Sequence, residues 1–377
     1  MNTISYGHQF IDDDDISEVV NALKSDYLTQ GPKIDEFEKA LCDYCGCEYA
    51  VLFSNGTAAL HGAYFASGIK SGDEFITTPI TFAASANAGL YMGAHPVFCD
   101  IDKNSYNIDP DLILDAVNDK TKVVTPVSYG GNPFELKKIY NTLKEKGIIV
   151  IHDAAHALGA KRDGYGIVDF CDMAMVSFHP VKHITTGEGG VILTNNKGFY
   201  EKLRLFRSHG ITKNPEKLKF GNEPWYYEMQ ELGYNYRITD IQCALGISQL
   251  KKADRFLKRR NEIAGIYFNE LKDYSKFKII KPYDNNKTIN AFHLYPVLLE
   301  NSGERKRFFE YMRENNIWVQ VHYIPLHLMP YYRDNFGFKD GDFPNAEDFY
   351  QREVSVPMYP SLSDSELSYV IEIMKKF

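Results

Sequence analysis

Several protein classes are excluded by what this chain lacks. No apolar run approaches the ~20 residues that a membrane-spanning helix needs. The N-terminus, MNTISYGHQFIDDDDI, has neither the basic start nor the apolar core of a signal peptide, so a cytoplasmic location with six reduced Cys is expected. There is no long basic run, and 42 basic against 50 acidic residues give a net charge of −8. A nucleic-acid partner is therefore not expected, and an anionic substrate would need locally placed donors. No GxGxxG occurs, which argues against dinucleotide binding. Cys42, Cys45 and Cys47 lie close together, but no second CxxC or HxxxH completes a four-ligand zinc set. They read as the end of a helix stopping at Gly46. His179 and His183 lie four apart with Pro180 between them, which spoils a helical metal pair. No metal is expected. Internal repeats and low-complexity segments are absent too.

What is present is ordinary for a globular protein: 44% hydrophobic and 24% charged residues. Tyr (26) and Phe (24) are abundant, and they suit sugar or base contacts and plain core packing equally. A length of 377 residues exceeds what one core usually holds and predicts two domains. Residues 10–25 read as a helix whose start is favoured by Asp12 to Asp15. The segment 28–32 breaks it, and another helix runs to about Leu41. From residue 49 short apolar strands alternate with helices: strands at 49–53, 74–78, 96–100, 122–127, 148–153, 173–178 and 191–194, helices at 58–67, 83–92 and 135–146. That alternation predicts an α/β domain with a mainly parallel seven-stranded sheet. A single long helix over 240–272 is expected to lead out of it. Beyond lie a strand near 291–299, a helix near 303–315, a strand near 317–323 and a helix near 363–376, read as a smaller C-terminal α+β domain. The expected division is 1–250 and 251–377.

Ligands of parallel sheets bind beyond the C-terminal ends of the strands. Three turns placed there carry unusual residues. Ser54-Asn55-Gly56-Thr57-Ala58 leads from a strand into a helix, where free N–H groups could hold an anion; equally, Thr57 could simply cap the helix. Asp153 ends the apolar strand Ile149-Val150-Ile151-His152, where a carboxylate is costly without a cationic partner; a cap or a buried ion pair would also serve. Between two apolar strands, SFHPVKHITTGEGG places Lys182 in a turn of His, Thr and Gly. Such an amine can bond an aldehyde if its pKa falls, although most loop lysines are merely solvated. Together the three turns offer a phosphate cup, an acid for a ring nitrogen and an aldehyde-binding amine, which are the requirements of pyridoxal 5'-phosphate (PLP).

With these residues in view, the chain resembles the nucleotide-sugar aminotransferases of the aspartate aminotransferase-like fold (PLP fold type I) along nearly its whole length. The resemblance rests on SNGTAAL, TTPITFAASANA, IHDAAHALGA, SFHPVKHITTGEGG, LFRSHG, GYNYRITDIQCALG and VHYIPLH. It implies a PLP enzyme that passes an amino group from L-glutamate to C4 of a 4-keto sugar carried on a nucleotide. It implies that Lys182 binds the cofactor aldehyde, Asp153 faces the ring nitrogen, His156 neighbours the ring's phenolic oxygen and Phe82 stacks on the ring. Gly56, Thr57, Ala58 and Ser177 would form the phosphate cup, and Asn235 would reach the phosphate from the second subunit of a homodimer. Tyr6, Asp26, Tyr27, Leu28, Thr29, Gln320, Val321, His322 and Tyr323 would contact substrate, so the N-terminal segment 1–30 would contribute to the site. The loop Thr212 to Leu232, with Trp225, Tyr226 and Tyr227, could close over the site or pack at the dimer interface, and the interface is the expectation. Members that remove a sugar hydroxyl instead carry His where Lys182 stands, so Lys182 favours transfer. A non-catalytic PLP-binding regulator would carry an added DNA-binding domain, for which no spare segment exists.

Overall fold

The computed structural model describes residues 3–283 and 285–377, so the first two residues of the N-terminal segment lie outside it. The chain begins with a two-residue strand β1 (Ile4–Ser5). Helix α1 (Asp13–Leu23) starts at the N-cap Asp12, whose side chain accepts from the Asp15 N–H while Asp15 accepts from the Asp12 N–H. The acidic run is thus a capping box. Helix α2 (Pro32–Cys45) has Pro at its first position and ends at Gly46, φ 73°.

The sheet is assembled next. Strand β2 (Tyr49–Phe53) leads into α3 (Gly56–Ser67), β3 (Glu74–Thr77) into α4 (Ala84–Tyr91), and β4 (His95–Phe98) into α5 (Pro110–Ala116). Strand β5 (Thr121–Thr125) precedes α6 (Leu136–Glu145), and β6 (Ile149–Asp153), β7 (Met173–Ser177) and β8 (Gly190–Thr194) follow. They form one seven-stranded sheet in the order β2-β8-β7-β6-β5-β3-β4. Only β8 is reversed, running antiparallel to both β7 and β2. The expected sheet is therefore present, and its strands are buried because helices cover both faces. One cap differs from expectation: α3 is capped by Asn55, whose side chain accepts from the Ala58 N–H over 2.8 Å, and not by Thr57.

Helix α7 (Lys197–Arg207) and the short strands β9 (Ile211–Thr212) and β10 (Glu228–Met229) follow the sheet. The long helix expected over 240–272 is instead two: α8 (Asp240–Leu250) and α9 (Ala253–Leu271), interrupted at Lys251-Lys252. Helix α8 is buried on most sides whereas α9 has one buried face, so the chain must turn between them. Neither Gly nor Pro marks the break; Lys252 pins it by reaching the Asp15 carboxylate at 2.9 Å.

The remainder comprises β11 (Phe277–Ile279), β12 (Tyr295–Leu299), α10 (Arg305–Glu314), β13 (Ile317–Trp318), α11 (Pro330–Phe336), α12 (Pro344–Arg352), β14 (Glu353–Val356) and α13 (Asp364–Lys376). Strands β11, β12 and β14 form an antiparallel sheet. With α9, α10 and α13 it encloses a second core around Tyr267, Tyr295, Phe308 and Val370. The strand expected near 317–323 stops at Trp318, where it pairs with β1 across the chain. Residues 319–326 run on as an extended segment toward the C-terminal ends of the large sheet, and α11 packs Tyr332 into the core of that sheet.

Candidate active site

The C-terminal ends of β2, β3, β6 and β7 open into a cavity of about 1180 Å³. Its wall includes Tyr6, Gly56, Thr57, Ala58, Phe82, Asp153, His156, Ser177 and Lys182 together with Gln320, Val321, His322 and Tyr323. The three turns singled out in the sequence thus converge on one space, and the extended segment 319–326 closes it from the far side. Asp26, Tyr27, Leu28, Thr29 and Asn235 do not line this cavity; all five are exposed on the same chain.

At the end of β6, Asp153 is buried, 3% exposed. Burial raises its pKa, while the Ser85 hydroxyl (2.6 Å to Oδ2), the Ala155 N–H (3.1 Å to Oδ1) and the Lys182 charge pull it down. The Thr81 hydroxyl lies 2.7 Å from Ser85 Oγ. Because Ser85 spends its proton on Asp153, Thr81 donates to Ser85 in turn. One carboxylate face is thus held by fixed donors while the residue borders the cavity.

Lys182, in the turn after β7, is packed closely enough that burial pushes its pKa down to about 8; Asp153 opposes that fall and Arg260 adds to it. Its Nζ lies 3.4 Å from His293 Nε2. His156 is buried, and burial lowers its pKa well below the usual imidazole range. The Gly130 N–H donates to His156 Nδ1 (3.3 Å), so the ring proton sits on Nε2 and faces the Tyr323 hydroxyl at 3.1 Å. A neutral, oriented imidazole results. Phe82 leaves 61% of its surface open, which is unusual for a Phe within a pocket and leaves a ring face free for stacking.

The turn into α3 is built by close approach. Gly56, Thr57 and Ala58 line the cavity, and the Asn55 cap takes the Ala58 N–H, which leaves the first N–H groups of the helix without an intrahelical acceptor. A Cβ on Gly190 would stand 2.8 Å from the backbone of Asn55 and Gly56, so only Gly lets β8 pack against that turn. These residues fit PLP: N–H donors for a phosphate, a buried carboxylate for a protonated ring nitrogen, an amine of lowered pKa for the aldehyde, and a bare aromatic face.

Sequence reasoning missed Ser85, Thr81 and His293. Ser85 lies three residues after Phe82, and His293 lies in AFHLYP; nothing in residue type or spacing points either of them at the cavity.

Comparison with known proteins agrees with this geometry. Residues 9–375 match the DegT/DnrJ/EryC1/StrS aminotransferase family. The chain belongs to that family, and it is an aminotransferase. It is 42% identical over 372 residues to the UDP-4-amino-4,6-dideoxy-N-acetyl-beta-L-altrosamine transaminase of Campylobacter jejuni subsp. jejuni serotype O:23/36 (strain 81-176), covering 97% of this chain and 95% of the relative. Similarity to GDP-perosamine synthase of Escherichia coli O157:H7 is 33% identity over 365 residues, 96% and 94% covered. Among solved structures, Helicobacter pylori PseC, an aminotransferase of pseudoaminic acid biosynthesis, superposes with a TM-score of 0.92 at 33% identity, covering 100% of this chain and 99% of the other. Streptococcus pneumoniae Spr1654 in its PLP form gives 0.91 at 29%, covering 99% and 98%. The fold is accordingly PLP fold type I.

Proposed function

We propose that this enzyme moves an amino group from L-glutamate to C4 of a UDP-linked 4-keto-6-deoxy N-acetyl hexose. The products would be UDP-4-amino-4,6-dideoxy-N-acetyl-β-L-altrosamine and 2-oxoglutarate, a step of pseudaminic acid biosynthesis. The sugar is supported by the altrosamine transaminase at 42% identity. The transfer chemistry is carried by one observation: the Lys182 amine and the buried Asp153 carboxylate border the same cavity.

The enzyme uses PLP, and no described helix is long and apolar enough to cross a membrane. When bound, the cofactor supplies an electron sink for the carbon that bears the transferred amine. Gly56, Thr57, Ala58 and Ser177 would hold its phosphate, Phe82 would cover one ring face, and His156 would stand by the phenolic oxygen. As a carboxylate, Asp153 would keep a proton on the ring nitrogen. With a pKa pushed down to about 8, a useful fraction of Lys182 is free amine near neutrality. Its Nζ takes the α-proton of glutamate, and in the second half it returns a proton to C4 of the sugar. Positioned acid–base groups of this kind typically contribute ~10²–10⁴-fold. Because 2-oxoglutarate leaves before the keto sugar enters, ping-pong kinetics follow.

Tyr6 and Gln320 to Tyr323 contact substrate from the cavity wall. Asp26 to Thr29 and Asn235 act on a neighbouring copy in a homodimer, which accounts for their exposure on their own chain. The loop 212–232 exposes Phe220 (87%) and Trp225 (76%) and lies at that interface. Residues 1–250 form the cofactor-binding domain and 251–377 the smaller one. A C4 aminotransferase for another nucleotide sugar is the second reading, favoured by the similarity to GDP-perosamine synthase. The test is to incubate pure protein with glutamate and a panel of UDP-, dTDP- and GDP-linked 4-keto sugars, UDP-bacillosamine precursors included, and solve the product by NMR. Turnover of the GDP-linked sugar alone would replace the first reading by the second.

A further inference from the structure

Lys182 touches a histidine that the transfer chemistry above leaves unused. His293 is 5% exposed, its Nε2 lies 3.4 Å from Lys182 Nζ, and its Nδ1 is buried with no hydrogen-bond partner among the described residues. The ring cannot swing away. The fully buried Arg260 of α9 donates from Nη1 to the carbonyls of Phe292 (2.9 Å), His293 (3.4 Å) and Met358 (2.9 Å), clamping the backbone that carries His293. The His156 ring packs 4.3 Å from it and the His183 ring 5.8 Å.

This arrangement makes the hydrogen bond directional. If Lys182 were an ammonium, it would donate to Nε2, and the neutral ring would carry its proton on Nδ1. That N–H would be buried without an acceptor, and orphan donors of this kind are costly and rare. If Lys182 is a free amine, Nε2–H donates to the Nζ lone pair and only a lone pair is left bare at Nδ1. A doubly protonated His293 is opposed by burial first, then by the charges of Lys182 and Arg260.

We propose that His293 is a positioning residue for Lys182, donating from Nε2 to the uncharged amine and holding it against the cavity wall beside Asp153. The other charged or titratable groups facing this amine are Asp153 at the end of β6, Arg260 on α9, His156 after β6, His179 and His183 in the lysine's own turn and His322 in the extended segment. Of these, Asp153 favours the ammonium, Arg260 disfavours it, and His183 and His322 are held neutral by burial, each near a pKa of about 3. His293 is thus the neighbour in hydrogen-bond contact with the amine among the described residues. The reading of Lys182 as the cofactor lysine gives this contact its purpose.

The test uses the cofactor-free protein, so its failure is separate from failure of the transferase reading. Lys182 is labelled with trace acetic anhydride between pH 6 and 10 and quantified by peptide mass spectrometry. The native midpoint is expected near 8, as burial sets it. Position 293 borders the cavity, so in His293→Gln the amide can turn its oxygen to an ammonium while its NH2 faces the open cavity. The midpoint should rise by roughly one unit, cutting labelling at pH 7 about tenfold. An unchanged midpoint in folded His293→Gln overturns the proposal. Nitrogen-15 NMR of the native protein gives a check that needs no variant: at pH 9.5, above the Lys182 midpoint, the His293 ring should carry its proton on Nε2, and a proton on Nδ1 there overturns the proposal.

Discussion

Ser85 Oγ lies 2.6 Å from Asp153 Oδ2, a short charge-assisted hydrogen bond between two buried side chains. Burial raises the Asp153 pKa, and this hydrogen bond is the largest of the influences that oppose the rise. Ser85→Ala removes a donor to the charged form, so the Asp153 pKa must rise further. The acid limb of kcat against pH should then move to higher pH, with kcat at pH 7 lower by about tenfold, as about 1.4 kcal/mol would give. Asp153→Asn removes the charge itself. It should keep some cofactor yet lose on the order of 10²–10⁴ in kcat. A native pH profile in Ser85→Ala would detach Ser85 from this role.

Lys182→Ala should abolish the visible absorption of the bound cofactor and transamination together. The fold should survive, because the Lys182 side chain borders the cavity, and thermal unfolding checks that. Full activity in this variant would end the assignment of Lys182.

Much of this site was legible in the sequence. A Lys, a carboxylate and a Gly-Thr pair each stand at the end of an apolar strand, where polar residues are costly unless used. Parallel topology then puts all such ends on one edge, so the three turns had to meet. The supporting residues were not legible. Ser85 lies within a run of small residues, and His293 precedes an apolar strand; both act through partners far away in sequence. The α8–α9 break was hidden for a related reason: it is set by Lys252 meeting α1, not by a local breaker. Likewise Asn55 rather than Thr57 caps α3, since both are good caps and only the turn geometry decides.

Gly190 tests the anion-binding end separately. A methyl group there would sit 2.8 Å from the Asn55 carbonyl and the Gly56 Cα, with backbone on both sides and no flexible side chain to yield. Gly190→Ala should push the start of α3 away from β8, costing about 1–3 kcal/mol of stability as overpacking typically does. Cofactor retention should fall with it, if the displaced turn holds the phosphate as proposed. Dialysis against buffer, followed by absorbance of the retained cofactor, measures the second effect; equal retention would clear this turn of a binding role.

Glu353 offers a prediction about pH and stability. Its carboxyl is fully buried at the start of β14, accepting from the His322 N–H (2.8 Å) and the Ser355 hydroxyl (2.5 Å). Ser355 in turn lies 2.9 Å from His322 Nδ1, on the segment that closes the cavity. Burial raises the Glu353 pKa to about 8, above the 4.5 of the free side chain. The folded state therefore holds a proton that the unfolded state releases across that range. The stability it contributes is complete below about pH 4.5 and is lost as pH rises toward 8, by up to about 1.4 kcal/mol per unit. Glu353→Gln keeps an acceptor for the His322 N–H, offers Ser355 an NH2 in place of a carboxyl oxygen, and no longer titrates. Urea unfolding at pH 5, 6.5 and 8 should show the native protein weakening with pH more steeply than the variant. Parallel slopes would mean that Glu353 is already ionised in the fold, and the His322 ring would then owe its orientation to a carboxylate.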